Sequence, residues 1–178
     1  WEFIHLDKNT GFASANNLAV KQVEDCDWIA FLNPDAFAHS DWLESLMQAV
    51  ESFPDIKLFG SHMLGHDNGL IDGTGDIYHI SGVAWRRDHG MKSSKVNRES
   101  GEIFSPCAAA SLISRDAFLE VGGFDEYFYC YNEDVDLSFR LRLIGHRCIY
   151  VPDAVVEHVG SGTTSRYSDF AVYHGQRN

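Results

Sequence analysis

The feature that most constrains the fold is a switch of hydrophobic period that recurs along the chain. The short apolar run DWIAFL has strand length and halts at Asn33-Pro34-Asp35. Immediately after it, Leu43, Leu46, Met47 and Val50 recur at helical spacing behind Ser40, a candidate N-cap. The alternation continues on both sides. WEFIHL predicts a strand and NNLAVKQVED a helix; IKLFGSHML and IYHISGVAW predict further strands. ASLISRDAFLEVGGF reads as a strand running into a helix that stops at Gly122-Gly123. NEDVDLSFRLRLIG predicts a helix capped by Asn132 and closed by Gly145, and RCIYV a strand ended by Pro152. Strands alternating with helices predict an α/β sheet with parallel pairs. Such a sheet rarely opens on a bare edge, and YHGQRN closes nothing. The expectation is therefore a single domain over 1–178 that lacks an N-terminal part of its sheet.

Its 178 residues suffice for one sizeable core. A formal net charge of −12 argues against nucleic acid as a partner, because phosphate binding wants a basic face. An anionic substrate is still compatible if a divalent cation bridges it. No apolar run approaches the roughly 20 residues that span a bilayer. Cys26, Cys107, Cys130 and Cys148 form no C-x-x-C pair, which favours buried thiols over a zinc site or a disulfide framework. A reducing, cytoplasmic location follows. One polar stretch, residues 86 to 101, carries five cations against two acids and predicts a loop, either simply solvated or covering an anionic ligand.

Three stretches carry candidate chemistry. FLNPDA sets Asp35 just past a strand, where a carboxylate can meet Mg²⁺ or Mn²⁺ and a diphosphate; read alone, Asn-Pro-Asp is equally good turn chemistry. NTGFASANN puts a glycine turn, Gly11, ahead of a helix bearing Asn16 and Asn17, without being a dinucleotide fingerprint. VVEHVGSGTTS sets His158 among small residues, as a metal ligand or as an ordinary hydrogen-bonded histidine.

Together, NTGFASANN, FLNPDA, PCAAASLISRDAFLEVGGFDEYF, YNEDVDLSFRLRLIG and YVPDAVVEHVGSGTTS resemble the inverting glycosyltransferases of family two, which have the GT-A fold, and within them the rhamnosyltransferase-like branch. The resemblance implies a Rossmann-like sheet flanked by helices, with its first strands missing here. It implies transfer of a sugar from a nucleotide-diphospho-sugar to a saccharide or lipid-linked acceptor, in cell-surface polysaccharide or glycolipid synthesis. A lipid-linked acceptor would put the enzyme at the inner face of the membrane. By position, Asp35 matches the last acid of the metal-binding D-x-D motif, whose first acid is Asn33 here, and His158 matches a histidine near metal and diphosphate. Gly11, Asn16 and Asn17 match the nucleotide side; Gly123 and Asp125 match the turn lining sugar and acceptor. Asp134 matches the general base, which leaves Glu133 an assisting or acceptor-binding role. A nucleotidyltransferase on a similar sheet, and a catalytically silent sugar-nucleotide or glycan-binding module, are the alternatives.

The acids of YNEDVDLSFR admit a local reading as well. Asp136 and Arg140 are an i,i+4 pair with the acid N-terminal, which makes Asp136 structural. Glu133 and Asp134 have no such cation, and the helix macrodipole in the first turn favours their ionised forms. Local physics does not choose between those two.

Overall fold

The computed structural model describes residues 3–66, 69–96, 98–160 and 168–178. In chain order the elements are α1 (Phe12–Gln22), β1 (Trp28–Leu32), β2 (Ala36–Ala38), α2 (Trp42–Ser52), β3 (Leu58–Gly65), β4 (Ile71–Gly73), β5 (Asp76–Tyr78), β6 (Ala84–Arg86), β7 (Gly101–Ile103), β8 (Ala110–Ser114), α3 (Arg115–Glu120), α4 (Glu133–Leu143), β9 (Cys148–His158) and α5 (Asp169–Arg177). The main sheet runs β1-β8-β3-β9-β2, with β4 on β3 and β7 on β9, while β5 and β6 form a separate ribbon.

The sheet is mixed. Among the described residues only β3 and β9 pair in parallel; β1–β8, β3–β8, β2–β9, β3–β4 and β7–β9 are antiparallel. Strand–helix alternation therefore identified the class but overstated the parallel pairing. Apolar side chains fill both faces. On one side Trp42 and Leu46 of α2 pack with Phe59, Met63 and Val156. On the other, α1, α3 and α4 bring Val20, Phe118, Leu137 and Leu141 against Phe31 and Tyr150. Leu58 and Phe59 divide between the two clusters because successive strand residues face opposite ways.

Several local expectations differ from the structure. Residues 3–6 of WEFIHL are irregular, not a strand. The N-cap of α2 is Asp41, not Ser40, and the helix buries Trp42, Leu46 and Ala49 while leaving Leu43 and Met47 exposed. IYHISGVAW is no single strand; it folds back at His79–Gly82 as the β5–β6 ribbon. β9 runs straight past Pro152. Its register on β3 jumps from Ser61↔Val151 to His62↔Val155, so the proline sits in a bulge where its missing N–H leaves no ladder bond unmade. The stretch from 86 to 101 is anchored at several of its described residues. Arg86 ends β6, Arg87 Nε donates to Thr74 Oγ1 at 2.8 Å, and Arg98 Nη2 donates to the Pro152 carbonyl at 2.7 Å.

Two pieces of folding prepare the start of α4. Gly11 has φ 86° and ψ 167°, and a Cβ there would lie 2.6 Å from the Tyr129 ring. This close approach lets Phe12 N at the start of α1 donate to the Tyr129 carbonyl at 2.8 Å. Tyr129, Tyr131 and Asn132 all have positive φ, so the chain enters α4 through a strained turn. Asn132 occupies the N-cap position without a side-chain capping bond; its carbonyl accepts from Asp136 N at 3.0 Å.

Candidate functional site

Asp35 lies in the turn between β1 and β2, and His158 is the last residue of β9. The β2–β9 pairing places Ala36 opposite His158, which brings these distant positions together. His158 Nε2 lies 3.5 Å from Asp35 Oδ1, and His158 Nδ1 lies 2.9 Å from Asp72 Oδ2. His158 is only 8% exposed. Asp72, on β4, was not singled out in the sequence. Burial works to raise its pKa, but the hydrogen bond with His158 and the charge of Arg86 outweigh it and hold the carboxyl below its ordinary value. The same Oδ2 accepts a hydrogen bond from Arg86 Nη1. Asn33 is used through its backbone: its N–H donates to the Ala109 carbonyl at 2.9 Å and its carbonyl accepts from Ala36 N at 3.0 Å.

The second group gathers at the start of α4. Asp134 Oδ2 accepts from Ala108 N at 3.0 Å and its Oδ1 from Val135 N at 2.9 Å, which orients the carboxylate and leaves it acceptor capacity. Glu133 is 6% exposed, and among the described residues its Oε2 has no hydrogen-bond partner. Burial, then the charge of Asp134, pushes its pKa up to about 8. The helix dipole does not keep Glu133 ionised, because desolvation outweighs it. Asp76 at the start of β5 is 7% exposed, and burial followed by the charge of Asp134 raises it to about 7 against the pull of Arg86. Asp76 pairs directly across the ribbon with Arg86.

Arg86 joins the two groups. It donates to Asp72 through Nη1 and to Cys107 Sγ through Nη2 at 2.9 Å, and Cys107 precedes the Ala108 amide that holds Asp134. Burial pushes the Cys107 thiol up to about 12, so it stays neutral. The sequence reading singles out neither Asp72 nor Asp76, and it counts Arg86 only among the cations of the polar stretch 86 to 101. A detectable signal was there: two acids four residues apart around Gly73 and Gly75, between apolar positions.

Other sequence candidates have different surroundings. Asn17 is 5% exposed; its Nδ2 donates to Phe124 O at 2.8 Å and to Glu126 Oε1 at 3.2 Å, and its Oδ1 accepts from Phe124 N at 2.9 Å. A Cβ on Gly123 would lie 2.5 Å from that Oδ1, so Gly123 makes room for the latch. Asn16 Nδ2 donates back to Phe12 O at 2.9 Å. Asp125 caps a short 3₁₀ turn by accepting from Tyr127 N at 2.9 Å. Asp136 accepts from Arg140 Nε at 2.8 Å, the expected helix pair. Ser161–Ser165 of the His158 motif lie outside the described residues. All four cysteines are free thiols, two of them buried.

The donor set at Asp35 and His158 suits a divalent cation: one carboxylate oxygen and one imidazole nitrogen, side by side, with the other ring nitrogen on a carboxylate. Among the described residues no three His, Cys, Asp or Glu side chains converge as a closed cage. Mg²⁺ or Mn²⁺ bound with one or two protein ligands, waters and substrate phosphate oxygens needs no such cage.

Comparison with known proteins agrees with this architecture. The family described as "Glycosyl transferase family 2" matches residues 1–122. An N-acetylglucosaminyl-diphospho-decaprenol L-rhamnosyltransferase of Mycobacterium tuberculosis is 26% identical over 93% of this chain and 62% of its own length. Rhamnosyltransferase WbbL of Escherichia coli is 32% identical over 80% of this chain and 58% of its own. The chain thus spans about three fifths of the length of these relatives. Among solved structures, GalNAc-T7 with UDP, GalNAc and Mn²⁺ superposes with TM-score 0.65 and 14% identity, over 86% of this chain and 31% of that one, a likeness of fold.

Proposed function

This chain belongs to glycosyl transferase family 2, and we propose that it transfers a sugar from a nucleotide-diphospho-sugar to an acceptor hydroxyl with inversion at the anomeric carbon. The observation that carries the reading is the two-part site: Asp35 with His158 on one side, and on the other the Asp134 carboxylate, held by the Ala108 and Val135 amides beside the buried acids Glu133 and Asp76. The acceptor oxygen attacks the anomeric carbon and forms the glycosidic bond as the sugar–phosphate bond breaks. Its electron pair leaves with the nucleoside diphosphate, and the acceptor proton passes to the Asp134 carboxylate. Glu133 and Asp76 are poor competitors for that proton-accepting role near neutral pH, since burial and the charge of Asp134 keep Glu133 protonated and Asp76 partly so. Asp35 and His158 would hold a divalent cation, which supplies positive charge to offset the departing diphosphate.

Asn17 and Gly123 act here by fixing the Phe124 turn, and Gly11 by admitting Tyr129, so that the strained approach to Glu133 and Asp134 keeps its shape. Asn16, Asn33 and Asp125 stay on the donor and acceptor sides that the motif assigns them. The names of the relatives support a deoxyhexosyl donor such as a nucleotide-linked rhamnose, and a lipid-linked saccharide acceptor in cell-surface polysaccharide synthesis. No helix of the described residues is long and apolar enough to cross a membrane. The proposed meeting with a lipid-linked acceptor is at the cytoplasmic face of the membrane.

The test is a panel of nucleotide-diphospho-sugars, with and without Mn²⁺, read by nucleoside diphosphate release and by thermal shift. One donor should raise the melting temperature in a Mn²⁺-dependent way, as binding to the native state requires. A chain that binds a donor but releases no diphosphate with any saccharide acceptor is a binding module, not this enzyme.

A further inference from the structure

We propose that Asp72 is a positioning residue: it fixes the His158 imidazole as the Nδ1–H tautomer and thereby leaves the Nε2 lone pair facing Asp35 as a cation ligand. The inference rests on the reading that Asp35 and His158 hold the divalent ion.

The argument is a competition between two carboxylates for one proton. A neutral imidazole has a single N–H, and His158 has an acid at each ring nitrogen. If the proton sits on Nε2, it points at Asp35 Oδ1, 3.5 Å away, and that nitrogen cannot bind a metal. Its Nδ1 lone pair would then face Asp72 Oδ2 at 2.9 Å, acceptor against acceptor, in a nearly buried site. With the proton on Nδ1, the 2.9 Å contact becomes a charge-assisted hydrogen bond, while the longer approach to Asp35 is open for an ion. The shorter contact decides the tautomer.

Asp72 can win this competition only if it cannot swing away, and the fold holds it. β4 pairs with the end of β3 through Leu64↔Ile71. The Asp72 carbonyl oxygen lies 2.7 Å from His89 Nδ1, and Arg86 Nη1 donates to the same Oδ2 that accepts the hydrogen bond from His158 Nδ1. Gly73 supplies the room for Arg86: a Cβ there would lie 3.3 Å from Arg86 Cδ. The carboxylate also makes the imidazole a stronger ligand, because a partner that stabilises the Nδ1–H side raises electron density at the opposite nitrogen.

The experiment uses the full chain with ¹⁵N-labelled histidine. Ring ¹⁵N–¹H correlation reads the His158 tautomer without metal, and calorimetry reads Mn²⁺ affinity without substrate. Wild type should show Nδ1–H. Asp72→Ala should lose that tautomer and raise the Mn²⁺ Kd about 10–100-fold, the usual range for removing such a partner. Asp72→Asn retains an acceptor oxygen, so it should keep the tautomer with a smaller loss of affinity; it also serves if Asp72→Ala does not fold. A wild type with Nε2–H, or either variant binding Mn²⁺ within twofold of wild type, overturns the positioning role while leaving the cation reading intact. A wild type with no Mn²⁺ affinity overturns both.

Discussion

Replacing Glu133 by Gln tests whether burial governs the acid cluster. Glu133 is raised from 4.5 to about 8, first by burial and then by the charge of Asp134. Between those values the unfolded chain has lost this proton and the folded chain has kept it. The unfolded state thus binds fewer protons, and stability falls as pH rises through the window. The slope is at most about 1.4 kcal/mol per pH unit, which over the window sets an upper bound of roughly 5 kcal/mol. Water drawn to the helix start on ionisation reduces that, and we expect about 2 kcal/mol. Gln copies the neutral acid and does not titrate. Glu133→Gln should therefore match wild type at about pH 4.5 and exceed it above pH 8, by about 4–8 °C in Tm for a domain of this size. The assay is thermal unfolding of both proteins from pH 4.5 to 9. A Tm gap that is constant with pH, or that closes as pH rises, refutes the reasoning.

Asp134→Asn should cut transfer roughly 10²–10⁴-fold with donor binding retained, while Glu133→Gln keeps turnover within about tenfold; steady-state rates with the inverse pattern would show that the wrong carboxylate was chosen. The same Asp134→Asn removes the charge that raises both Glu133 and Asp76, so it should also raise Tm at pH 8, and a lower Tm there would count against the cluster. Gly11→Ala places a Cβ 2.6 Å from the Tyr129 ring at a backbone conformation nearly reserved for glycine, costing about 1–3 kcal/mol for the backbone alone; an unchanged urea midpoint would contradict it. Asn17→Ala leaves the buried Phe124 N–H and C=O without their partner, a loss of roughly 2–4 kcal/mol from two orphaned groups, to be read in the same urea titration.

What the sequence determined by itself was local or motif-bound. Periodicity located α1, β1, α2, β3, β8, α3 and α4, because each needs only its own residues to declare a period. The Asp136–Arg140 pair was legible for the same reason, both members lying on one helix face. The motifs pointed to Asp35, His158 and Asp134, yet nothing local said that Asp35 and His158 would meet. That depended on β2 lying antiparallel to β9, with Ala36 opposite His158. Tertiary structure also decided how β9 passes Pro152, since a proline stops a strand only where its N–H is owed to a neighbour. It decided the charge of Glu133, because desolvation is set by what packs around a side chain, and the macrodipole that favoured ionisation is the weaker effect once water is gone. And it alone revealed Asp72, Asp76 and Arg86, whose chemistry comes from converging on His158, Asp134 and Cys107 across separate strands, a relation that spacing along the chain does not encode.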